Sequence, residues 1–196
     1  RSSNSINRLY LGRGYNGKDI DISNLKLVQL KIKADCRSLK LGTCLKRLSL
    51  TGSYNQKIIF PDSLEELELN GEFDGKLNLE NTKLNKLITG DKFNENFVSL
   101  PLSLKRIKFG KNFNQSIDNL PDQIELVEFV ENSNYSKNIS KLPINIKRVY
   151  MPISYNNKII LNDKYDFFEE IYLGHFGVLV YYYTPKPNIL VKVFNY

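Results

Sequence analysis

Tryptophan is absent from this 196-residue chain, histidine and methionine occur once each, and cysteine twice. The lone His175 leaves nothing from which to build a histidine-rich metal site. Cys36 and Cys44 are too few to staple a chain of this length, which favours a reducing compartment, and no Cys/His cluster with ligand spacing accompanies them. Apolar runs are short. None approaches the roughly 18–20 residues of a membrane-spanning helix, and the opening RSSNSINRLYL lacks the apolar core of a signal peptide. The expected setting is therefore intracellular and cytoplasmic, with a virion as the alternative, and neither a cofactor nor a membrane partner is expected. The chain opens on Arg1 rather than methionine, so it reads as a fragment or a processed product.

What is present is enough apolar material for a core, 41% hydrophobic and 12% aromatic, under a basic excess of 28 Lys and Arg over 21 Asp and Glu, or +7. That balance favours anionic partners without specifying a fold. The first conspicuous motif is RLYLGRGYNG, where Gly12, Gly14 and Gly17 spell G-x-G-x-x-G after an apolar run. A dinucleotide site would need a helix opening at the third glycine. Here GKDIDISNLKLVQL alternates with the period of a strand instead, so these glycines are assigned to turn geometry.

Self-similarity decides the architecture. The segments RLYLGRGYNGKDI, RLSLTGSYNQKI, ELELNGEFDGKL, RIKFGKNFNQSI and RVYMPISYNNKI are variants of one unit. Their first apolar anchors, with those of the intervening units, are Leu9, Leu30, Leu48, Leu67, Leu87, Ile107, Val127, Val149 and Ile171, a period of 18 to 22 residues. A period of about 20 residues holding one apolar-x-apolar strand is the spacing of a leucine-rich-repeat-like solenoid, in which each coil buries its face on the next. Pro61, Pro101, Pro121 and Pro143 precede the next anchor, and only about 10 residues remain for the return path, which predicts extended or single-turn 3-10 structure there rather than helix. The expected organisation is a leader over 1–7, about nine coils over 8–173 with parallel strands on the concave side, and a capping β-hairpin over 174–196. Val178–Tyr183 and Ile189–Phe194 would be the arms of that hairpin, flanking TPKPN.

Two positions recur after each strand. An aromatic stands at Tyr15, Tyr54, Phe73, Phe93, Phe113 and Tyr155, with Tyr135 displaced by an insertion and Cys36 in its place in the second coil; stacked, these predict a spine of rings in the core. The next residue is Asn16, Asn55, Asp74, Asn94, Asn114 or Asn156, expected to face inward as a structural ladder hydrogen-bonding the backbone of adjacent coils.

With these residues in view, FGKNFNQSIDNLP with LPDQI, and the neighbouring GDKFNENFVSLPLSLKRIKF and TGSYNQKIIFPDSLEELEL, resemble FNIP repeats. These are leucine-rich-repeat-like units of roughly 22 residues, abundant in amoebae and in large DNA viruses that infect them. The resemblance runs from about Arg8 to Leu173. It implies a recognition module, which in similar proteins is often joined to an N-terminal F-box and so serves as the substrate receptor of a ubiquitin ligase. No F-box is visible in this sequence, so that role would need an upstream segment.

Catalysis is not expected. Carboxylate pairs such as Glu65 with Glu66 are adjacent in sequence and point in different directions. The outward strand positions are the candidate partner-binding residues: Arg8 and Tyr10 on the first coil, Lys31 and Lys33 on the second, then Arg47, Lys86, Arg106 and Lys108, with Arg148, Tyr150 and Tyr172 at the far end. A mainly basic face interrupted at Glu66 and Glu68 suits a protein partner with an acidic segment. An even basic track would suit nucleic acid better, and that remains the minority expectation, beside a structural or assembly role. The partner's identity and the oligomeric state are not legible.

Overall fold

Short strands and one turn of 3-10 helix carry the chain in the computed structural model, which describes residues 6–54, 57–73, 77–157, 159, 170–173 and 191–193. In chain order the strands are β1 (Arg8–Leu11), β2 (Lys18–Asp21), β3 (Gln29–Ile32), β4 (Cys36–Lys40), β5 (Arg47–Leu50), β6 (Ser53–Tyr54), β7 (Glu66–Leu69), β8 (Glu72–Phe73), β9 (Lys86–Thr89), β10 (Arg106–Phe109), β11 (Leu126–Phe129), β12 (Arg148–Tyr150), β13 (Glu170–Leu173) and β14 (Val191–Val193). Ten of them form one sheet in the order β1-β3-β5-β7-β9-β10-β11-β12-β13-β14, every pair parallel. The pairs β2–β4 and β6–β8 form two smaller parallel ladders on the outgoing turns. This is a leucine-rich-repeat-like solenoid, with no α-helix among the described residues.

The register is unbroken. Leu9, Leu30, Leu48, Leu67, Leu87, Ile107, Val127, Val149, Ile171 and Val191 are successive partners across the sheet. From Leu30 to Val149 their side chains are almost wholly buried. Alternation does this: successive strand residues point to opposite faces, so an apolar residue at every second position puts one row per coil into the interior. Each such side chain contributes about 1.5–3 kcal/mol on leaving water. The second inner row holds one buried polar residue among the described residues, Thr89, whose hydroxyl accepts from the Gly110 N–H at 3.2 Å.

The return paths are single turns. The amides of Leu64, Leu104, Ile124 and Ile146 donate to the carbonyls of Pro61, Pro101, Pro121 and Pro143 at 3.0–3.1 Å, and each closing residue is buried. The prolines cost no hydrogen bond here, because the turn uses their carbonyl and not the missing N–H.

Tyr54 and Phe73 are buried, and from Phe93 to Tyr155 the rings stack as a spine. Phe93 and Phe113 lie 6.2 Å apart at 5°, Phe113 and Tyr135 6.4 Å apart at 6°, and Tyr135 and Tyr155 5.9 Å apart at 23°. Phe109 and Phe129 thicken it, with Phe109 only 4.0 Å from Phe113. Tyr15 is the exception: it is 44% exposed, because the first coil has no preceding coil among the described residues to cover its ring. Cys36 is buried in its place in the second coil, against Tyr54, and burial raises both the thiol and the phenol above their ordinary range.

The glycines of the opening motif and those of the later coils have different causes. Gly17 has φ 68°, the left-handed region that glycine tolerates, while Gly12 and Gly14 have nothing within 4 Å of where a Cβ would stand. The next segment forms strand β2, not a helix, which removes the dinucleotide reading. At Gly71, Gly90 and Gly110 a Cβ would land on the backbone of the coil before, on Gly52, Leu69 and Gly90 respectively. These glycines form a column where successive backbones touch.

Val191–Val193, within the arm expected over Ile189–Phe194, pairs parallel with β13 and extends the main sheet by one strand. The other expected arm, Val178–Tyr183, lies outside the described residues, as do residues 1–5 of the leader.

Candidate functional site: the exposed face of the sheet

The outward residues of the eight sheet strands from β1 to β12 lie in two straight rows. One runs Arg8, Gln29, Arg47, Glu66, Lys86, Arg106, Leu126 and Arg148. The other runs Tyr10, Lys31, Ser49, Glu68, Ile88, Lys108, Glu128 and Tyr150. Just before β5, β7, β10, β11 and β12 stand Lys46, Glu65, Lys105, Glu125 and Lys147, which pair from coil to coil. The partner-binding candidates of β1 to β12 therefore share one continuous surface, with Lys33 one step beyond β3. Tyr172 takes the next register position after Tyr150, on β13.

Charge on this surface is banded coil by coil, and neighbouring bands neutralise each other. Arg47 donates to Glu66 at 3.2 Å, and Lys46 lies 2.8 Å from Glu65. Lys108 pairs with Glu128. Glu125 takes Lys147 at 3.0 Å and Lys105 at 3.3 Å. Glu68 accepts from the Asn70 amide at 2.6 Å. The sequence suggests a mainly basic face interrupted at Glu66 and Glu68; in the folded chain Arg47 is engaged by Glu66 and Lys108 by Glu128. Lys33 lies over the Tyr10 ring at 6.0 Å. Among the described residues Arg8, Lys31, Lys86 and Arg106 have no carboxylate within ion-pair distance. A shallow depression crosses β3, β5, β7 and β9, bordered by Gln29, the Arg47–Glu66 pair, Glu68, Lys86 and Ile88. At Ser49, also on its lining, the hydroxyl is covered and has no hydrogen-bond partner.

Three carboxylates, Glu125 on this face and Glu72 and Asp21 on the turn side, are held in their charged form. Hydrogen bonds from Lys147 first, and then Lys105, lower Glu125, and Lys92 lowers Glu72 on the turn side. Asp21 is lowered to about 2, chiefly by the Ser23 hydroxyl and amide and then by Lys40. A depressed carboxyl contributes stability that is present above its unfolded value, near 4 for Asp and Glu, and is lost as the pH falls through the folded value. The melting temperature is expected to be level above about pH 5 and to decline from there towards pH 2, as measured by circular dichroism across that range. The pairs are exposed, so each is worth little alone.

The asparagine column stands at the rim of the coils and not inside them. Asn16, Asn94 and Asn156 are exposed and Asn114 is half-buried, while Asn55 and Asp74 lie outside the described residues. The carboxamides nonetheless bridge coils. The amide of Asn114 donates to Asn94 Oδ1 at 2.7 Å, that of Ser136 to Asn114 Oδ1 at 2.9 Å, and that of Asp35 to Asn16 Oδ1 at 3.1 Å. Inward positions are filled by the rings, so the following residue in an extended turn must face out. The alternation within YN and FN could have revealed this.

Among the described residues, no group of three or more His, Cys, Asp and Glu is placed to hold a metal ion, and no helix is long and apolar enough to cross a membrane. His175 lies outside them. A second depression, on the outer side, is lined by Leu39, Leu41 and Ile59 with Arg37, Lys40 and Lys57. Two of its cations are engaged, Lys40 with Asp21 at 3.2 Å and Arg37 with Asp19 at 3.8 Å.

Residues 93–132 match the FNIP Repeat family, a stretch that holds β10 and β11 and runs from the ring of Phe93 past that of Phe113. Among solved structures, that of CroV588, described as a novel circular LRR protein structure, aligns over 84% of this chain and 36% of its own at 21% identity, with a TM-score of 0.43. The chain thus spans little more than a third of that protein's length. No curated protein matches the sequence.

Proposed function

We propose, taking the FNIP repeat at residues 93–132 as the premise, that this chain is a non-catalytic protein-recognition module that binds its partner on the exposed face of the ten-stranded sheet. The observation that carries the proposal is the pair of in-register outward rows, which present Arg, Lys and Tyr side chains as one uninterrupted surface. Arg and Tyr are the residue types that most often anchor protein interfaces. Banding by Glu65, Glu66 and Glu68, and again by Glu125 and Glu128, argues against a phosphate backbone, whose affinity grows with the number of cations it meets in succession. A partner with an acidic segment fits better.

The finer reading is that the solenoid serves as the substrate-reading part of an F-box-type ubiquitin-ligase adaptor. Its support is the family resemblance, and it predicts that the full-length gene product co-purifies with a ubiquitin-ligase core. Recognition itself is tested by affinity capture from host lysate with wild type and a combined Arg106→Glu, Lys108→Glu and Arg148→Glu variant of unchanged circular dichroism. Proteins held by the wild type are expected to be lost from the variant. An unchanged captured set would place recognition elsewhere.

A further inference from the structure

We infer that the centre of the exposed face is a docking window for an extended peptide segment carrying an acidic and an apolar side chain two residues apart. This rests on the protein-recognition reading and narrows it to β9 and β10.

Cross-coil neutralisation leaves a gap at this place. The cations before and on β5 are taken by Glu65 and Glu66, and the Lys105 and Lys108 side chains are taken by Glu125 and Glu128. Lys86 stands between Glu66, which Arg47 already holds, and Arg106. Arg106 stands between Lys86 and Leu126. Two cations thus sit side by side on adjacent strands, whose spacing is about 4.8 Å, with no carboxylate on either among the described residues. An anionic side chain placed between them relieves their mutual repulsion and gains attraction from both.

The apolar half of the window is equally local. Ile88 follows Lys86 by two residues on the same face of β9, and Leu126 flanks Arg106; both are only part-buried. The depression that crosses the sheet ends at Lys86 and Ile88, so a side chain can enter beside them. Same-face residues on a strand repeat at about 6.6–6.8 Å, and so do those of an extended peptide. A segment aligned with β9 therefore places one side chain over the Lys86–Arg106 pair and its next same-facing one over Ile88. A segment crossing the strands would meet a row repeat of about 4.8 Å, which its own side chains do not match.

The test is selection from a random twelve-residue peptide library on three proteins: wild type, Lys86→Glu/Arg106→Glu, and Lys57→Glu/Lys111→Glu as a charge-matched control off this surface. The expected result is enrichment on wild type of Asp or Glu two residues from Leu, Ile, Phe or Met. Synthetic copies of the selected peptides should bind the first variant at least about tenfold more weakly and the control unchanged. Binding should weaken as salt is raised. Peptides without the acidic residue, or whose binding survives Lys86→Glu/Arg106→Glu, overturn the window and leave recognition by another part of the chain standing. A library that yields no binder overturns the window as well, while lysate capture that still depends on the sheet face would keep the broader reading.

Discussion

Phe113→Ala is expected to destabilise the chain by about 3–5 kcal/mol, the range for truncating a buried phenylalanine. The ring is 1% exposed and faces four others, with Phe109 at 4.0 Å, Phe93 and Phe97 at 6.2 Å and Tyr135 at 6.4 Å. Its removal opens a cavity that only neighbouring coils could fill, and those coils are pinned by their own register, so collapse is limited. It also removes several ring pairs, each worth about 0.5–1.5 kcal/mol beyond buried area. Chemical denaturation followed by circular dichroism measures the loss. Tyr15→Ala is the internal comparison: the same position of the repeat, but 44% exposed, and expected to change stability by about 0.5 kcal/mol or less. Equal losses at the two positions would contradict the spine.

Gly110→Ala is expected to cost about 3 kcal/mol or more, at the upper end of overpacking effects, although alanine is the mildest replacement available. The added methyl group would fall on the carbonyl of Gly90, a backbone atom that cannot rotate away. Making room means parting two coils at the point where the Gly110 N–H reaches Thr89 Oγ1 at 3.2 Å and the Lys111 N–H reaches Asp91 Oδ1 at 3.1 Å. Gly12→Ala is the matched control at the equivalent turn of the first coil. Gly12 has φ −87° and open space around it, so alanine there should be neutral or stabilising by about 0.4–1 kcal/mol through the unfolded chain. Denaturation midpoints of the two variants should move apart, and a Gly110→Ala midpoint at the wild-type value would refute the close coil contact.

The solenoid, its period, the inner rows and the prolines that bar a helical return path are all readable from spacing, because each is dictated by residues within one repeat. Features that depend on two coils are not. Gly12 and Gly110 align as the same letter, yet one has space around it and the other is wedged against Gly90. Asn94 and Asn114 were expected inside, since bridging coils suggested burial; the rim lets them bridge while exposed. The basic rows were counted from the sequence as available to a partner. Arg47 and Lys108 are instead engaged by carboxylates about one period further along the chain, a pairing set by side-chain reach across the sheet. At the C-terminus, the parallel pairing of Val191–Val193 with β13 joins two separate units, and no local signal in TPKPN announces it.

The unbroken register has a consequence for how such a chain can change length. Because Lys86↔Glu66 and Arg106↔Lys86 occupy one row, excising a whole repeat from Lys86 to Lys105 would slide Arg106 opposite Glu66 and Lys108 opposite Glu68 with every inner leucine still in line. The shortened molecule would keep its interior and exchange the Lys86–Arg106 neighbours for like-against-unlike contacts. Gain or loss of a single module is thus enough to create or erase a charged patch, with every inward-facing residue of the remaining modules unchanged.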